Sequence, residues 1–309
     1  MDVGVIGVGV MGRNHARVYS ELKQVDSLWI TDLNTNAATD VAQANDGQVA
    51  SSVEALLEQV DAVSICVPTR FHHDVARKVF SAGVHALIEK PICHTAAEAE
   101  ALIRIIPEDL VVGVGHIERF NPIIDEIRRM IDRPLYIETK RHNPASTRIT
   151  DTSVVEDLMI HDIDVIFSFF GSKEYSVQSS GNADVCGALF NFDTTPVYMS
   201  GSRKSSKKIR SIYIEQEDCT IEGDYMTQEI AIYRKPGQYH IENDRYVQEN
   251  IIEKVLVNKQ EPLKRELSTF LDCADKKRPF PITPQQALLN LKVCEEITQG
   301  FVRNTGGNA

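Results

Sequence analysis

A glycine-rich turn at the start of the chain, GVGVMG over residues 7–12, constrains the fold more than any other feature. A β-branched run from Val3 precedes it, and a helical pattern follows from Met11 to about Gln24. In such a turn the glycines permit a tight bend, close approach of a pyrophosphate and close helix–strand packing. The turn therefore predicts a dinucleotide-binding unit with the phosphates at the helix N-terminus. The residues of the turn predicted to bind the cofactor are Gly7, Gly9, Val10, Met11 and Gly12.

Strand and helix patterns continue to alternate through the first 116 residues. The apolar segments typical of buried strands are Ser27–Thr31, Asp61–Val67, Val84–Ile88 and Leu110–Gly115. Capping boxes at Ser51 with Glu54 and at Thr95 with Glu98 predict the starts of two of the intervening helices. This alternation of strands with helices predicts an α/β fold of the Rossmann type, with a doubly wound, mostly parallel sheet.

The second strand ends at Asp32, twenty residues past Gly12. An acidic residue at this place accepts hydrogen bonds from an adenosine ribose and repels a 2′-phosphate. The next residues, Leu33, Asn34 and Thr35, include no arginine that could accept such a phosphate. The sequence therefore predicts NAD as the cofactor in preference to NADP, with a turn residue as the alternative reading of Asp32.

Two short motifs follow the predicted parallel strands at their carboxyl ends, where open parallel sheets bind ligands. One runs from Pro68 to His72, and the other is Glu89-Lys90-Pro91. A lysine at this edge can donate to a substrate hydroxyl and stabilise the oxyanion that develops as hydride leaves. The alternative is a salt bridge of Lys90 with Glu89 or Asp162.

A largely apolar helical stretch, Val154–Gly171, carries four polar residues at spacings of four, three and four. These are Asp157, His161, Asp164 and Ser168. Such spacings place them on one face of a helix, which among large apolar neighbours favours a cleft. A carboxylate beside an imidazole fixes its tautomer and raises its basicity, as a general base requires. The alternative is a buried histidine satisfied by a nearby aspartate.

Composition excludes several classes of partner. A net charge of −11 argues against nucleic acid or an anionic membrane. No signal peptide pattern and no apolar run of ~20 residues is present, which predicts a cytoplasmic protein.

The six cysteines are scattered without a CxxC motif, so neither disulfides nor a zinc site is expected. His72, His73 and Asp74 are consecutive and cannot all face one ion, so no metal is predicted.

The second half of the chain has a different pattern. After a strand at Leu135–Arg141, a polar loop to Asp151 brings Arg141 and Arg148 as candidates to bind substrate phosphates, with a solvated loop as the alternative. Alternation from Tyr175 to about Tyr233 predicts an antiparallel meander, and two helices close the chain.

These patterns predict two domains, an NAD-binding domain over residues 1–118 and a substrate-binding α+β domain over residues 119–309. The final helix can pack back on the first domain. An antiparallel sheet needs its apolar face covered, and residues 175–233 offer few helices to do so. A homodimer or homotetramer through this sheet is therefore expected.

The chain resembles the Gfo/Idh/MocA (glucose–fructose oxidoreductase and inositol dehydrogenase) family over essentially its whole length. The resemblance rests on GVGVMG, Pro68-Thr69 with His72, Glu89-Lys90-Pro91, GHIERFNP at 115–122, and Asp157 with His161. It implies a second domain with a large open, mainly antiparallel sheet, and oxidation of a sugar or cyclitol hydroxyl with a nicotinamide cofactor. Within the family, the segments VGHIERFNP and DLMIHDID look most like UDP-N-acetylglucosamine 3-dehydrogenases.

The resemblance also implies roles for individual residues. Lys90, Asp157 and His161 would be catalytic, while Pro68, Thr69, His72 and Glu89 would join the cofactor-binding set. The substrate-binding residues would be Lys90, Arg119, Asn121, Arg141, Arg148 and His161. The expected reaction is NAD-dependent oxidation at C3 of UDP-N-acetylglucosamine or a related UDP-sugar. A free sugar or inositol dehydrogenase and a non-catalytic NAD-binding redox sensor remain open as alternatives.

Overall fold

The computed structural model describes residues 1–144, 152–171, 173–235, 240–242, 245–247 and 251–305. The chain divides into two compact units. The first comprises Met1–Phe120 and Glu261–Lys292, and the second comprises Asn121–Gln260 and Val293–Ala309. Arg148, one of the predicted substrate-binding residues, lies outside the described residues.

The first 120 residues alternate strands and helices, as predicted. The strands are β1 (Asp2–Ile6), β2 (Ser27–Thr31), β3 (Gln48–Val49), β4 (Ala62–Ile65), β5 (His85–Glu89) and β6 (Val112–Gly115). The helices are α1 (Val10–Glu21), α2 (Thr35–Ala44), α3 (Val53–Leu57), α4 (His72–Ser81) and α5 (Ala96–Ile103). Short 3-10 turns at Thr69–Phe71 and Ile117–Phe120 complete this part.

In the second unit, α6 (Pro122–Met130) and β7 (Tyr136–His142) precede a π-helical turn at Val155–Met159, which continues directly into α7 (Ile160–Phe170). The strands that follow are β8 (Tyr175–Gly181), β9 (Val185–Phe192), β10 (Thr195–Ser202), β11 (Ile209–Glu215), β12 (Cys219–Asp224), β13 (Glu229–Arg234), β14 (His240–Glu242), β15 (Arg245–Val247) and β16 (Ile252–Val255). Two further helices end the described chain: α8 (Pro262–Asp275), which belongs to the first unit, and α9 (Pro284–Thr305).

The sheet of the first unit has six parallel strands in the order β3-β2-β1-β4-β5-β6. This is the doubly wound order of dinucleotide-binding domains and confirms the predicted fold class. Its register pairs Ile6 with Thr31 and with Ile65, and Ile65 with Ile88. The carboxyl ends of β1, β2, β4 and β5 therefore lie level at one edge. The glycine turn, Asp32, the Pro68–His72 segment and Glu89-Lys90-Pro91 all leave the sheet at this edge.

The sheet of the second unit has eight strands in the order β16-β13-β12-β11-β7-β10-β9-β8. All neighbours are antiparallel except β7 and β10. This mainly antiparallel sheet also confirms the predicted fold class. Helix α6 packs on one face, where Gly223 leaves room for Ile123 and Ile127. The other face of β9 and β10 presents Val185, Leu189 and Tyr198, which are partly exposed.

Residues Glu261–Lys292 belong to the first unit, although the predicted boundary placed them in the second domain. Helix α8 packs on α1 and on the 3-10 turn at 117–120. Surface ion pairs of Arg17 with Glu261 and of Lys264 with Glu21 join the same two helices.

Helix starts follow local hydrogen bonding, with one correction to the sequence prediction. Thr95 caps α5 by accepting the Glu98 N–H at 3.2 Å, as predicted. The cap of α3 is Ser52, which accepts the Ala55 N–H at 3.1 Å, and the predicted box of Ser51 with Glu54 is wrong. Two serines in succession left the cap ambiguous by one residue. No helix among the described residues combines the length and apolar character that a membrane crossing requires.

Candidate active site

The glycine turn between β1 and α1 has the three properties its sequence predicts. Gly7 has φ of +90°, and a Cβ on it would lie 2.9 Å from the backbone of Cys66. A Cβ on Gly12 would lie 1.9 Å from the carbonyl oxygen of Gly7. Within the described part of the chain, a Cβ on Gly9 would meet no atom within 4 Å. Gly9 therefore has open space beside it, whereas Gly7 and Gly12 are packed against backbone atoms. This arrangement lets a pyrophosphate approach the turn.

Helix α1 begins at this turn without a side-chain cap. Its N-cap is Gly9, which has no side chain to accept a capping hydrogen bond, and Val10 is 59% exposed. The backbone N–H groups of a helix's first turn and the positive end of its dipole favour an anion at that place. The turn therefore fits the phosphates of a dinucleotide.

Asp32 lies beside the turn, at the carboxyl end of β2. Its Oδ2 accepts the Val8 N–H at 2.7 Å, and its Oδ1 accepts the Asn34 N–H at 2.8 Å. These two bonds fix the carboxylate next to the glycine turn. Because the side chain is only partly buried, it fits the predicted acceptor for an adenosine ribose.

His72 is buried, at 1% exposure, beneath the 3-10 turn that Pro68 and Thr69 begin. Its Nδ1 lies 2.9 Å from the Pro91 carbonyl oxygen, and its Nε2 lies 2.9 Å from that of Val67. Burial lowers the pKa of His72. The ring thus joins the end of β4 to the segment that follows Lys90, which includes the cis peptide bond between Lys90 and Pro91. These contacts give His72 a supporting role in the fold, and the cofactor contact that the family resemblance implied stays a prediction.

Glu89 and Lys90 end β5 at the same edge. The Glu89 carboxylate is buried and lies 2.8 Å from His15 Nε2 through Oε1, while its Oε2 accepts the Lys90 N–H at 3.2 Å. Burial by itself raises the pKa of Glu89, but the hydrogen bond and the electrostatic interaction with His15, followed by the charge and the backbone N–H of Lys90, outweigh burial and lower that pKa. Glu89 is therefore an ionised support beneath Lys90, and Lys90 itself is only partly buried.

Asp157 and His161 lie on successive turns where the π-helical turn passes into α7, and both are partly exposed. The predicted polar stripe is narrower than its spacing suggested. Asp164 is buried at 1% exposure, and the Ser168 hydroxyl donates to the Val165 carbonyl and accepts from Arg128. Asp157 and His161 remain as the pair that suits acid–base chemistry. A π-helical turn is itself frequent at functional sites.

Two further contacts fix this π-helical turn. A Cβ on Gly201 of β10 would lie 2.5 Å from Met159 Cγ, so only glycine lets Met159 pack there. Ser153 and Glu156 close the start of the turn, with Glu156 Oε2 accepting the Ser153 N–H at 3.0 Å. The glycine in β10 is visible in the sequence but does not indicate its distant partner, whereas Ser153 and Glu156 are three residues apart and have the spacing of a capping box.

The predicted substrate-binding residues differ in how exposed their side chains are and in the partners they already have within the chain. Arg141 lies in β7 at 1% exposure, and its Nε and Nη2 donate to Asp162 at 2.9 and 2.8 Å. Asn121 caps α6, accepting the Ile123 N–H and donating to the Tyr225 carbonyl at 3.0 Å. Arg141 and Asn121 thus have partners within the chain, and their contacts with substrate stay predictions. Arg119, in the 3-10 turn at 117–120, is partly exposed and stays a candidate.

Residues 1–116 match the family described as "Oxidoreductase family, NAD-binding Rossmann fold" (GFO_IDH_MocA). The chain is 34% identical over 288 residues to a UDP-N-acetylglucosamine 3-dehydrogenase from Acidithiobacillus ferrooxidans, and the match covers 90% of each chain. A solved structure of the UDP-N-acetylglucosamine 3-dehydrogenase from that organism superimposes with a TM-score of 0.87 at 31% identity, covering 97% of each chain. A levoglucosan dehydrogenase in complex with NADH and levoglucosan, 16% identical, shares the fold with a TM-score of 0.82, covering 98% of this chain and 97% of its own.

The turn allows a paired test of its two kinds of glycine. Gly12→Ala should lower the free energy of unfolding by about 1–3 kcal/mol, because its Cβ overlaps the Gly7 carbonyl oxygen. Gly9→Ala should change it by less than about 0.5 kcal/mol, yet weaken NADH binding about tenfold or more, because its methyl group fills the space for the pyrophosphate. Urea unfolding and NADH fluorescence titration measure the two effects. Unchanged NADH affinity in a stable Gly9→Ala variant would contradict this view of the turn.

Proposed function

Because this chain belongs to the Gfo/Idh/MocA family of oxidoreductases, we propose that it is an NAD-dependent dehydrogenase that oxidises C3 of UDP-N-acetylglucosamine or a related UDP-sugar. The glycine turn and Lys90, which leave the same edge of the parallel sheet, carry the dehydrogenase chemistry. The substrate is supported by the likeness to the Acidithiobacillus ferrooxidans enzyme along 90% of both chains.

In this reaction a bound nicotinamide supplies the acceptor for hydride from the sugar carbon. His161 takes the hydroxyl proton on an imidazole nitrogen, and Asp157 orients the imidazole and stabilises its protonated form. The Lys90 ammonium donates from Nζ to the same oxygen as its negative charge develops. Glu89, ionised and buried directly behind the Lys90 backbone, favours the charged form of that lysine.

Substitution of the two proposed catalytic residues tests this assignment. Lys90→Met keeps the apolar stem but removes the donor, and His161→Asn keeps polarity but removes the base. Each should lower turnover by roughly two to four decades, the range of one such contact. His161→Asn should still bind NADH, and the acid limb that protonation of its imidazole produces in the wild-type rate profile should vanish. Lys23→Met and His94→Asn, at exposed positions, are the matched controls.

In the double variant Lys90→Met with His161→Asn, the fold-loss of turnover should be smaller than the product of the two single fold-losses, since the effects of groups that act as one unit are not additive. Near-normal turnover of His161→Asn on a UDP-sugar would remove His161 from the mechanism. The 157–168 segment would then be a packing element only.

We further propose NAD in preference to NADP, on the basis of Asp32. Its carboxylate is held beside the glycine turn by the Val8 and Asn34 amides, in the place where a 2′-phosphate would meet negative charge. Asp32→Ala should weaken NADH binding and narrow the preference over NADPH, as measured by titration with each nucleotide. If the wild-type protein binds NADPH more tightly than NADH, this assignment is wrong.

A dehydrogenase of a free sugar or inositol is the second candidate. The buried salt bridge of Arg141 with Asp162 favours this second candidate, because Arg141 was one of the two residues predicted to bind a diphosphate. Inositol 2-dehydrogenases are also relatives, such as that of Corynebacterium glutamicum at 28% identity over 58% of this chain. The near-complete coverage of the UDP-sugar relative weighs more.

We propose that two copies pack together through the outer face of the eight-stranded sheet, giving a dimer or a dimer of dimers. Val185, Leu189 and Tyr198 are 42%, 39% and 36% exposed on adjacent strands, and an apolar surface of this kind is stabilised by a second copy. Leu189→Asp should shift sedimentation toward the monomer without changing the thermal unfolding of the monomer greatly. A wild-type protein that sediments only as a monomer at micromolar concentration would contradict the proposal.

We place the protein in the cytoplasm, as the sequence predicts. All six cysteines are free thiols, and burial raises the pKa of Cys66, Cys93 and Cys186, which keeps them protonated and unreactive. Unpaired cysteines are typical of a reducing compartment.

A further inference from the structure

A run of basic residues connects β10 to β11 and has no role in the mechanism above. This basic segment, residues 203–208, reads RKSSKK, which is four cations in six residues of a chain whose net charge is −11. By composition alone such a run is typical of a solvated turn. Its position in the fold decides whether it has a partner.

The basic segment passes around the carboxyl end of β7. In the eight-stranded sheet β7 lies between β10 and β11. The register pairs His142, the last residue of β7, with Ser202 on one side and with Ile209 on the other. The segment therefore forms an arch across this strand end, and the arch spans about 10 Å, twice the spacing of neighbouring strands.

The arch begins beside the residues proposed to take the hydroxyl proton. Two residues before it, Gly201 packs against the π-helical turn, since a Cβ there would lie 2.5 Å from Met159 Cγ. Met159 is two residues from Asp157 and two from His161. The carboxyl end of β10, where the arch starts, is therefore the end of the sheet at which this acid–base pair lies.

The two cations in the first half of the arch support the fold. Arg203 is buried at 5% exposure, and its Nη2 donates to the carbonyl oxygens of Thr152 and of Ala183, the latter at 2.9 Å. Lys204 Nζ lies 3.1 Å from Asp184 Oδ2, and Arg203 Nε lies 3.9 Å from Asp184 Oδ1. Asp184 thus compensates charge in this half, and Arg203 fixes the arch on the residues before the π-helical turn.

The two cations in the second half, Lys207 and Lys208, differ from the first two. Both are exposed, and neither ammonium group forms an ion pair within the part of the chain that the structure describes. Their backbone is nevertheless fixed, because the Ser205 hydroxyl accepts the Lys207 N–H at 3.1 Å and donates to the Lys207 carbonyl oxygen at 2.7 Å. A backbone that is already ordered lowers the entropy cost of binding a ligand there.

Two adjacent ammonium groups suit a diphosphate. Each lysine is a compact point charge of the kind that binds phosphate oxygens, and a diphosphate carries negative charge on both of its phosphate groups. In a UDP-sugar the diphosphate is attached to C1, two carbons from the reacting C3. A sugar ring with its diphosphate therefore has a length comparable to the arch, which begins beside the proposed acid–base pair and ends at Lys208.

We propose that Lys207 and Lys208 bind the diphosphate of the UDP-sugar substrate, with Arg203 holding the arch in place. This site rests on the function proposed above, because a free sugar carries no diphosphate. It supplies exposed positive charge in an acidic chain, whereas Arg141, a predicted phosphate ligand, is buried and paired with Asp162.

Calorimetric titration with UDP tests the site without any turnover. The double variant Lys207→Gln with Lys208→Gln should bind UDP about tenfold or more weakly than the wild-type protein, since it loses two charged contacts with phosphate. Its affinity for NADH should stay within about twofold, because the pyrophosphate of that cofactor belongs at the glycine turn.

The matched control is Lys23→Gln with Lys254→Gln, which removes the same charge from two exposed positions elsewhere. Salt screens charges that are farther apart than about 8–10 Å, so this control should bind UDP as the wild-type protein does. An equal loss of UDP affinity in the control would show that only net charge matters and would overturn the site. A loss of NADH affinity in the Lys207–Lys208 variant, with UDP affinity intact, would assign the lysines to the cofactor and overturn it as well.

Steady-state kinetics separates this site from the proposed reaction. The Lys207–Lys208 variant should have a KM for UDP-N-acetylglucosamine about tenfold or more above the wild-type value, with kcat lowered less than about threefold, as expected for contacts equally strong in the ground and transition states. An unchanged KM and an unchanged UDP affinity would overturn the site alone. A wild-type protein that binds UDP through these lysines but oxidises no UDP-sugar would support the site and refute the proposed reaction. A wild-type protein that binds neither UDP nor a UDP-sugar would refute both.

Discussion

One close contact sets the geometry of the first unit: α1 begins directly against the carbonyl oxygen of Gly7, and only the missing side chain of Gly12 permits it. The contact aims the helix N-terminus at the place where Gly9 leaves open space, so it defines where a pyrophosphate can bind. The same helix carries His15 inward, where its ring meets the Glu89 carboxylate. The packing of Gly12 thus connects the glycine turn with the Glu89 carboxylate beneath Lys90. A substitution that displaces the turn is therefore expected to displace that carboxylate as well.

In the second unit, the corresponding constraint is the buried pair of Arg141 with Asp162. Asp162 follows His161 in the chain, and both its oxygens accept from the guanidinium of a central strand. Removing one partner of such a pair costs about 3–5 kcal/mol, because it leaves a buried charge uncompensated. The pair therefore anchors the first turn of α7 on the sheet and limits how His161 can move. Gly201 adds a second restraint by admitting Met159.

Features encoded by neighbouring residues were predictable, and features encoded by distant ones were not. The glycine turn, Asp32 and the alternation of strands depend on local spacing, so their placement follows from the sequence. Arg141 looked like a loop arginine because its partner, Asp162, lies 21 residues away and becomes adjacent only after folding. Nothing in the sequence indicated the position of Glu266, because it comes close to His15 and Glu89 only when α8 packs on α1. The π-helical turn has the same origin, because it needs a glycine on another strand.

The glycine turn, Lys90 above the Glu89 carboxylate, and His161 beside the Asp162–Arg141 pair are the parts of the proposed dehydrogenase site. Its proposed substrate is a UDP-sugar. The most direct measurement is the absorbance of reduced nicotinamide when the wild-type protein is mixed with NAD and UDP-N-acetylglucosamine, N-acetylglucosamine or myo-inositol. We expect kcat/KM for the UDP-sugar to exceed that for the free sugars by about a hundredfold or more, equivalent to ~2.7 kcal/mol of extra binding in the transition state. Faster reduction with a free sugar or with myo-inositol, or none with any UDP-sugar, would contradict the account.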